Sequence, residues 1–336
     1  MSAHEGPPSP ELFFQTVNAY QRTEALRAAL QLDLFSKVAP EGATAEVIAG
    51  QIGAAARGVR ILSDYLVIAG FLTREGDRYR LTRDTAAFLD RRSPHYLGSA
   101  VDFMLAPMLR ESFGHLADAV RRGGADGLGS LAPEHPIWIE FARAMAPVTG
   151  LPAQLMAELF DRPSDAPLSV LDIAASHGLF GLAFARRFPR ARIVAQDWAN
   201  VLTVARENAA RAGAADRYTL LPGSAFDVDL GRGHDVALVT NFLHHFDPPT
   251  CVLFLKRVRE CLKPGGACLT LEFVLNDDRL TPPSAAGFPL IMLASTPSGD
   301  AYTFADLSRM FQEAGFARST LKPLMPGMQQ VVVSEV

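Results

Sequence analysis

The segment LDIAASHGLFG, residues 171–181, constrains the fold more than any other part of the chain. An apolar run over residues 169–175 ends in small residues and passes at once into a helical pattern (Leu179, Ala183, Phe184). A strand, a tight turn and a helix in that order open a doubly wound α/β domain. Such a turn leaves backbone N–H groups free at a helix start. The small side chains of Ala174, Ala175, Ser176 and Gly178 let a ligand come close to them. One strand later, RIVAQ runs into Asp197, 25 residues after Asp172. A carboxylate at that strand tip is placed to accept hydrogen bonds from two ribose hydroxyls. Together these residues predict nucleoside binding; plain packing of a strand–helix turn is the competing reading.

The rest of the chain narrows the choice. At 336 residues it is long enough for two domains. A hydrophobic share of 49% against 20% charged residues describes a globular protein rather than a disordered one. A net charge of −4 argues against nucleic acid as the main partner. Cys251, Cys261 and Cys268 lie in or beside apolar runs without disulfide or metal spacing, which predicts buried free thiols, a cytoplasmic setting and no metal. The polar, proline-rich start MSAHEGPPSP reads as a frayed tail, and neither a signal peptide nor a membrane span is expected.

Taken in order, residues 11–35 read as one helix. Thr44 caps a second, and a third covers 58–69. FLTREGDRYRLT, residues 71–82, then reads as a β-hairpin turning at Glu75–Gly76–Asp77. Three helices and a hairpin make a winged helix. In a DNA reader Arg57, Arg60, Arg74, Arg78 and Arg80 would contact phosphates. The interleaved acids Asp64, Glu75 and Asp77 favour a dimerisation and lid module instead. Residues 95–160 form a helical connector with a Gly-rich loop over 121–133. Strands are expected at 169–175, 192–196, 218–221, 235–240 and 267–274, with helices at 180–188, 201–212 and 250–262 between them. A helix over 304–314 and an antiparallel pair, 318–322 and 330–336, close the chain at the sheet edge, joined by the loop PLMPGM. The expected domains are 1–98, 99–165 and 166–336.

At this point the residues resemble the class I S-adenosylmethionine-dependent methyltransferases, and more closely the dimeric small-molecule O-methyltransferases of the plant caffeate type and their bacterial natural-product relatives. The most specific match is NFLHHFDPPTCVLFLKRVRECLKPGG, residues 241–266; the second is the C-terminal AGF…LKPLMPGMQQVVV. The resemblance implies a Rossmann-like sheet with an antiparallel C-terminal hairpin behind a winged-helix dimerisation domain, S-adenosylmethionine as cofactor with S-adenosylhomocysteine as product, and a homodimer. It implies His244 as catalytic base and Glu272 as the acid that orients it. Cofactor contacts would come from Asp172, Ala174, Ser176, Gly178, Asp197, Trp198, Ser224, Ala225, Phe226, Thr240 and Asn241. The acceptor pocket would be walled by Phe103, Met104, Trp138, Phe141, Met145, His245, Phe288 and Met292, which are mostly apolar. This chain departs from the pattern at several positions. Glycine survives only at Gly178 of the usual Gly-rich turn, Ser224 stands where an acid binds the adenine, and His245 stands where an acid is common. Ala301 and Tyr302 replace a second flanking acid and an arginine. His177 would either cover the methionine carboxylate or sit on the surface.

The chemistry suits these residues. A phenol titrates near about 10 and needs deprotonation before it attacks a sulfonium methyl at neutral pH. A histidine takes that proton as the C–O bond forms, and a carboxylate on its other nitrogen fixes the tautomer. The expected activity is methylation of a hydroxyl on a small, mostly apolar, natural-product-like molecule. The alternatives are N- or C-methylation, a non-methylating relative using the same cofactor, and a winged-helix small-molecule-sensing regulator. A nicotinamide enzyme is disfavoured because GxGxxG is absent.

Overall fold

In the computed structural model, residues 7–126, 132, 134–324 and 329–336 are described. The chain divides into two units, Met1–Val101 and Asp102–Val336.

In the first unit, the single helix expected over residues 11–35 is two, α1 (Glu11–Val17) and α2 (Ala19–Gln31). The break has a local cause. The Thr16 hydroxyl and the Asn18 amide bond back to the carbonyls of Leu12 and Phe14, a competition that loosens a helix end. A short strand β1 (Ala43–Thr44) leads into α3 (Ala45–Ile52), capped by Thr44 as expected and stopped by Gly53 in the left-handed region. Then come α4 (Ala56–Ile68), the hairpin β2 (Leu72–Glu75) and β3 (Arg78–Leu81), and α5 (Arg83–Phe88). The small sheet runs β1-β3-β2, so the winged-helix expectation holds in its elements. Leu34, Phe35, Ile48, Leu66, Leu72 and Tyr79 form its core. Asp64 gathers Arg60, Arg74 and the Tyr79 hydroxyl at 2.7–2.9 Å. Arg80 pairs with Glu75 and Arg78 bonds the Gly42 carbonyl, so four of the five arginines that could have met phosphates are engaged within the unit.

The helix α6 (Ala100–Met104) lies at the division. The second unit continues with α7 (Pro107–Gly114), α8 (Leu116–Arg122) and α9 (Ile137–Glu158), which carries Pro147 and Pro152 inside it. Residues 127–131 and 133 of the expected Gly-rich loop lie outside the described residues. The alternation expected from sequence then appears. It runs β4 (Ser169–Ile173), α10 (Leu179–Arg187), β5 (Arg192–Asp197), α11 (Leu202–Arg211), β6 (Tyr218–Pro222), β7 (His234–Thr240), α12 (Pro248–Cys261) and β8 (Leu262–Glu272). After β8, a stretch given no elements from sequence holds two short helices, α13 (Pro283–Ala286) and α14 (Phe288–Ser295). The chain ends with α15 (Phe304–Glu313), β9 (Arg318–Pro323) and β10 (Gln330–Glu335). Asp247 caps α12 ahead of Pro248, and Thr303 with Asp306 forms a reciprocal capping box on α15.

The sheet order is β6-β5-β4-β7-β8-β10-β9. The first five strands are parallel; β10 pairs antiparallel with both β8 and β9. The edge is therefore β9 alone, with β10 inserted inside it; four residues of the expected connecting loop, 325–328, lie outside the described residues. Strand order reverses between β4 and β7, the point at which such sheets hold ligands beyond their carboxyl ends. Central strands buried on both faces are read as continuous apolar runs, and Val170, Leu171, Val236, Leu238 and Leu269 are completely buried.

Candidate active site

The turn after β4 is built under strain. Ala174 and Ser176 both have φ 50, and Gly178 has φ 74. An alanine or serine held there costs on the order of 1 kcal/mol or more. The chain therefore keeps the backbone path of a Gly-rich turn with two side chains in it. Tight contacts fix the turn: a Cβ on Gly181 would lie 2.7 Å from the Ile193 side chain and 2.8 Å from Asp172 Oδ2. Asp172 lies beneath, fully buried, where Oδ2 accepts the Gly181 N–H at 2.9 Å. It therefore anchors the start of α10. Burial pushes its carboxyl up to about 8, against the pull of the Gly181 bond, with the charge of Asp197 adding to the rise.

Asp197, at the tip of β5, grips the turn from the side. Its oxygens accept the N–H groups of Ser176 and Trp198, each at 2.7 Å. Each oxygen keeps a lone pair for a further donor such as a ribose hydroxyl. Burial pushes this carboxyl up to about 6 despite those two bonds. Two buried polar atoms here, Ser176 Oγ and Asn200 Nδ2, have no hydrogen-bond partner. A carboxylate, spare donors and a close-approach turn fit a nucleoside cofactor. Ser224 Oγ accepts the Phe226 N–H at 3.1 Å, Ala225 is buried, and Phe226 packs against Phe242, Phe246 and Phe254.

His177 is neither of the things its sequence position left open. It is 4% exposed, and burial pulls its imidazole down to about 4. Nδ1 accepts the Leu179 N–H at 3.3 Å, so the proton sits on Nε2, which faces Thr149 Oγ1 at 3.0 Å. The Thr149 hydroxyl in turn bonds the Met145 carbonyl. His177 thus ties the turn to α9.

The second corner lies at the ends of β7 and β8. Thr240 is buried at the end of β7. Asn241, with φ 53, turns the chain and holds the Gln329 amide on its Oδ1. The turn points the N–H groups of Phe242 and Leu243 at Glu272 Oε1, at 3.0 and 2.9 Å. Glu272 Oε2 lies 2.6 Å from His244 Nδ1. A carboxylate with this donor set places the proton on Nδ1 and leaves the Nε2 lone pair as the free basic site. The Tyr302 hydroxyl donates to the Phe246 carbonyl, and the Cys251 thiol to that of Leu243 at 3.3 Å, which straps the turn from behind.

The ring neighbours of His244 are His245 at 4.5 Å, Phe288 at 4.8 Å and Phe273 at 6.3 Å, with Phe273 stacked on Phe288 at 4.0 Å. Ala301 is buried in an apolar cluster with Leu275 and Ala285, against which those two phenylalanines pack. Among the described residues, Glu272 is the only side chain hydrogen-bonded to His244. Burial, then the neighbouring His244, pulls His245 down to about 3, so it stays neutral.

The other residues expected in the acceptor pocket are spread out. Phe103 and Phe141 meet edge to face at 4.8 Å. Met145 lies on α9, Met292 is buried in α14, and Met104 is 59% exposed. Trp138 belongs elsewhere: it packs with Trp198, Val201 and Val204 beside the cofactor turn rather than with the rings around His244. Two residues not anticipated matter here. Gln196 joins Ala174 N–H to the Gly223 carbonyl, and its signal was a polar side chain closing an apolar strand. Phe273 directly follows Glu272, an aromatic next to the acid.

Fold and site together define an S-adenosylmethionine-dependent methyltransferase. Residues 113–317 match the model of the O-methyltransferase domain family, and residues 14–91 that of the O-methyltransferase dimerisation domain. The chain belongs to this O-methyltransferase family. It is 29% identical to the tetracenomycin polyketide synthesis 8-O-methyl transferase of Streptomyces glaucescens, over 94% of each chain. It is 27% identical to the 3-hydroxy-5-methyl-1-naphthoate 3-O-methyltransferase of Streptomyces sahachiroi, over 96% of this chain and 94% of the other. A solved structure described as an O-methyltransferase candidate from Nostoc punctiforme is 48% identical, with a TM-score of 0.94 over 98% of this chain and all of that one. Human N-acetylserotonin methyltransferase, solved with S-adenosylmethionine, shares the fold at a TM-score of 0.84 and 24% identity, over 99% of each chain. Among the described residues, no helix is long and apolar enough to cross a membrane.

Proposed function

We propose that this enzyme methylates a phenolic hydroxyl of a small, mostly apolar aromatic molecule, with His244 as general base and Glu272 as the residue that orients it. The observation that carries this reading is the 2.6 Å contact between His244 Nδ1 and Glu272 Oε2, with the other carboxylate oxygen held by two backbone N–H groups. S-adenosylmethionine supplies the electrophilic methyl. Asp172, Asp197, Gly178 and the strained turn around them hold it; His244 Nε2 takes the acceptor proton. The stacked Phe273 and Phe288 and the apolar cluster at Ala301 give the base a setting suited to a flat, uncharged ring. The two Streptomyces relatives are named for a polyketide and a hydroxylated naphthoate, which agrees with that class.

The first unit serves a homodimer in this reading. Helix α1 buries none of its residues within the chain and exposes Leu12, Phe13, Phe14 and Val17. The internal use of four of the five arginines speaks against a DNA reader. Three buried free cysteines suit the cytoplasm. The test is a panel of phenols, amines and carbon acids incubated with the enzyme and labelled cofactor, beside His244→Ala. Label on a phenolic oxygen, lost in the variant, supports the reading. Label on nitrogen or carbon, or an unchanged rate in the variant, sinks it.

A further inference from the structure

A cavity of about 280 Å³ opens beside Asp197, at the carboxyl ends of β5 and β6. Glu134, Trp198, Ala199, Asn200, Pro222 and Gly223 line it. Sites for drug-sized ligands run from roughly 300 Å³ upward, so this one suits a single fused ring system better than a whole nucleoside. Its walls offer an indole for stacking, a carboxylate that only accepts hydrogen bonds, and an amide that can donate. The amide is the more telling. Asn200 Nδ2 is buried and has no hydrogen-bond partner, and such groups carry a free-energy cost that a ligand acceptor removes.

The carboxylate comes from an unexpected place. The resemblance leads one to expect an acid at position 224, but Ser224 is there, with its hydroxyl oxygen already accepting the Phe226 N–H, and Ala225 follows without a polar group. Glu134 belongs instead to the turn that leads into α9. That turn is closed on itself. The Ala132 carbonyl accepts the His135 N–H at 3.0 Å and the Trp138 indole N–H at 3.2 Å, and His135 Nδ1 accepts the Ile137 N–H at 3.2 Å. Trp138 then packs with Trp198, Val201 and Val204, which fixes the turn against the end of β5.

We propose that this cavity is the purine subsite of the cofactor, with Glu134 accepting from the exocyclic 6-amino group and Asn200 donating to a ring nitrogen. The assignment rests on the cofactor class stated above and adds the residues of this chain that read the base. It also gives the site a selectivity, for 6-aminopurines over 6-oxopurines. A 6-oxo group would set its oxygen against the Glu134 carboxylate, whereas the ring acceptor that Asn200 reads is common to both purines.

Calorimetric titration of the full chain with S-adenosylhomocysteine and its 6-oxo analogue S-inosylhomocysteine tests this without turnover. The wild type should bind the amino form at least about tenfold tighter, the effect expected when a buried polar match is lost. Glu134→Ala should bring the two affinities to within about threefold. Glu134→Gln, whose amide both donates and accepts, should narrow the gap by improving binding of the oxo form. Asn200→Ala should weaken both ligands alike and leave their ratio intact. The ratio is taken within each variant, so a folding defect that weakens both ligands does not imitate the effect. Equal affinities in the wild type, or an unchanged ratio in Glu134→Ala, would overturn the proposal. A wild type that binds neither ligand would remove it together with the cofactor class.

Discussion

The corner that holds His244 and the turn that follows β4 sit at the same edge of one sheet and are built on opposite plans. Around His244 the polar groups find partners inside the chain: Glu272 accepts three hydrogen bonds, and hydroxyl and thiol groups strap the following turn. Around the β4 turn, two non-glycine residues are held at positive φ, a buried carboxyl keeps one oxygen unpartnered, and Ser176 Oγ and Asn200 Nδ2 have no partner. A base must hold one tautomer and one direction through every turnover, which a closed network secures. A ligand cradle must present donors and acceptors to something else, and strain and unmatched polarity are tolerated there.

Substitutions that open the closed corner should have the largest effect. His244→Ala should lower kcat about 100- to 10,000-fold, the usual worth of a general base. Its affinity for S-adenosylhomocysteine should stay near that of the wild type. Glu272→Gln is the sharper probe. Its amide N–H₂ facing Nδ1 would place the imidazole proton on Nε2, where the base should be. Its rate should fall nearly as far while the fold persists. A Glu272→Gln enzyme with half the wild-type rate would show that the carboxylate orients nothing.

The next effect is one of pH. His177 titrates near 4 in the folded chain and near about 6.5 when unfolded. Above the unfolded value both states are neutral and the residue contributes no slope. Below it the unfolded chain takes up the proton first, so stability falls as pH drops toward the folded value. The loss amounts to up to ~3 kcal/mol. Urea midpoints of wild type minus His177→Gln, measured from pH 7 to pH 4, should decline across that window. A flat difference would mean that His177 is protonated in the folded chain.

Two smaller tests bear on the open side. Asp197→Asn sets an amide N–H₂ against one of the backbone N–H groups of Ser176 and Trp198. It should weaken S-adenosylhomocysteine binding by about 1–3 kcal/mol in calorimetry, and no change would take Asp197 out of the cradle. Ala174→Gly relieves one left-handed alanine while adding chain entropy to the unfolded state. It should therefore change thermal stability by no more than about 1 kcal/mol, in the stabilising direction. A clear loss in the melting curve would show that the turn is not strained at that residue.

Much of this was legible in the sequence because the period of the apolar residues switches where the structure switches. The β4–turn–α10 unit, the caps at Thr44 and the alternation to β8 follow from such local signals. The segment after β8 did not yield in that way. Pro282, Pro283, Gly287 and Pro289 interrupt it, and helices as short as α13 and α14 complete too few turns to show a period. His244 and Glu272 were legible only as a resemblance joined to a shared sheet edge, since 28 residues separate them. Trp138 was misplaced because an aromatic at helical spacing says that it packs but not against what. Its neighbour Trp198 lies 60 residues further on. The strain at Ala174 and Ser176 was the hardest to foresee, because their side chains suit many turns and their φ values are set by the bonds from Gln196 and Asp197.

One feature of the sheet bears on the order in which the enzyme comes into being. Strand β10 lies between β8 and β9, its Gln330 is paired with Glu272, and the preceding Gln329 holds Asn241. All three of these side chains and strands emerge from the ribosome after the cofactor turn, and β10 emerges 58 residues after Glu272. A nascent chain can therefore build its cradle well before β8 gains its neighbour on that side. The acid that aims the base reaches its final setting only when the end of the domain arrives, so ligand capture precedes catalytic competence during synthesis.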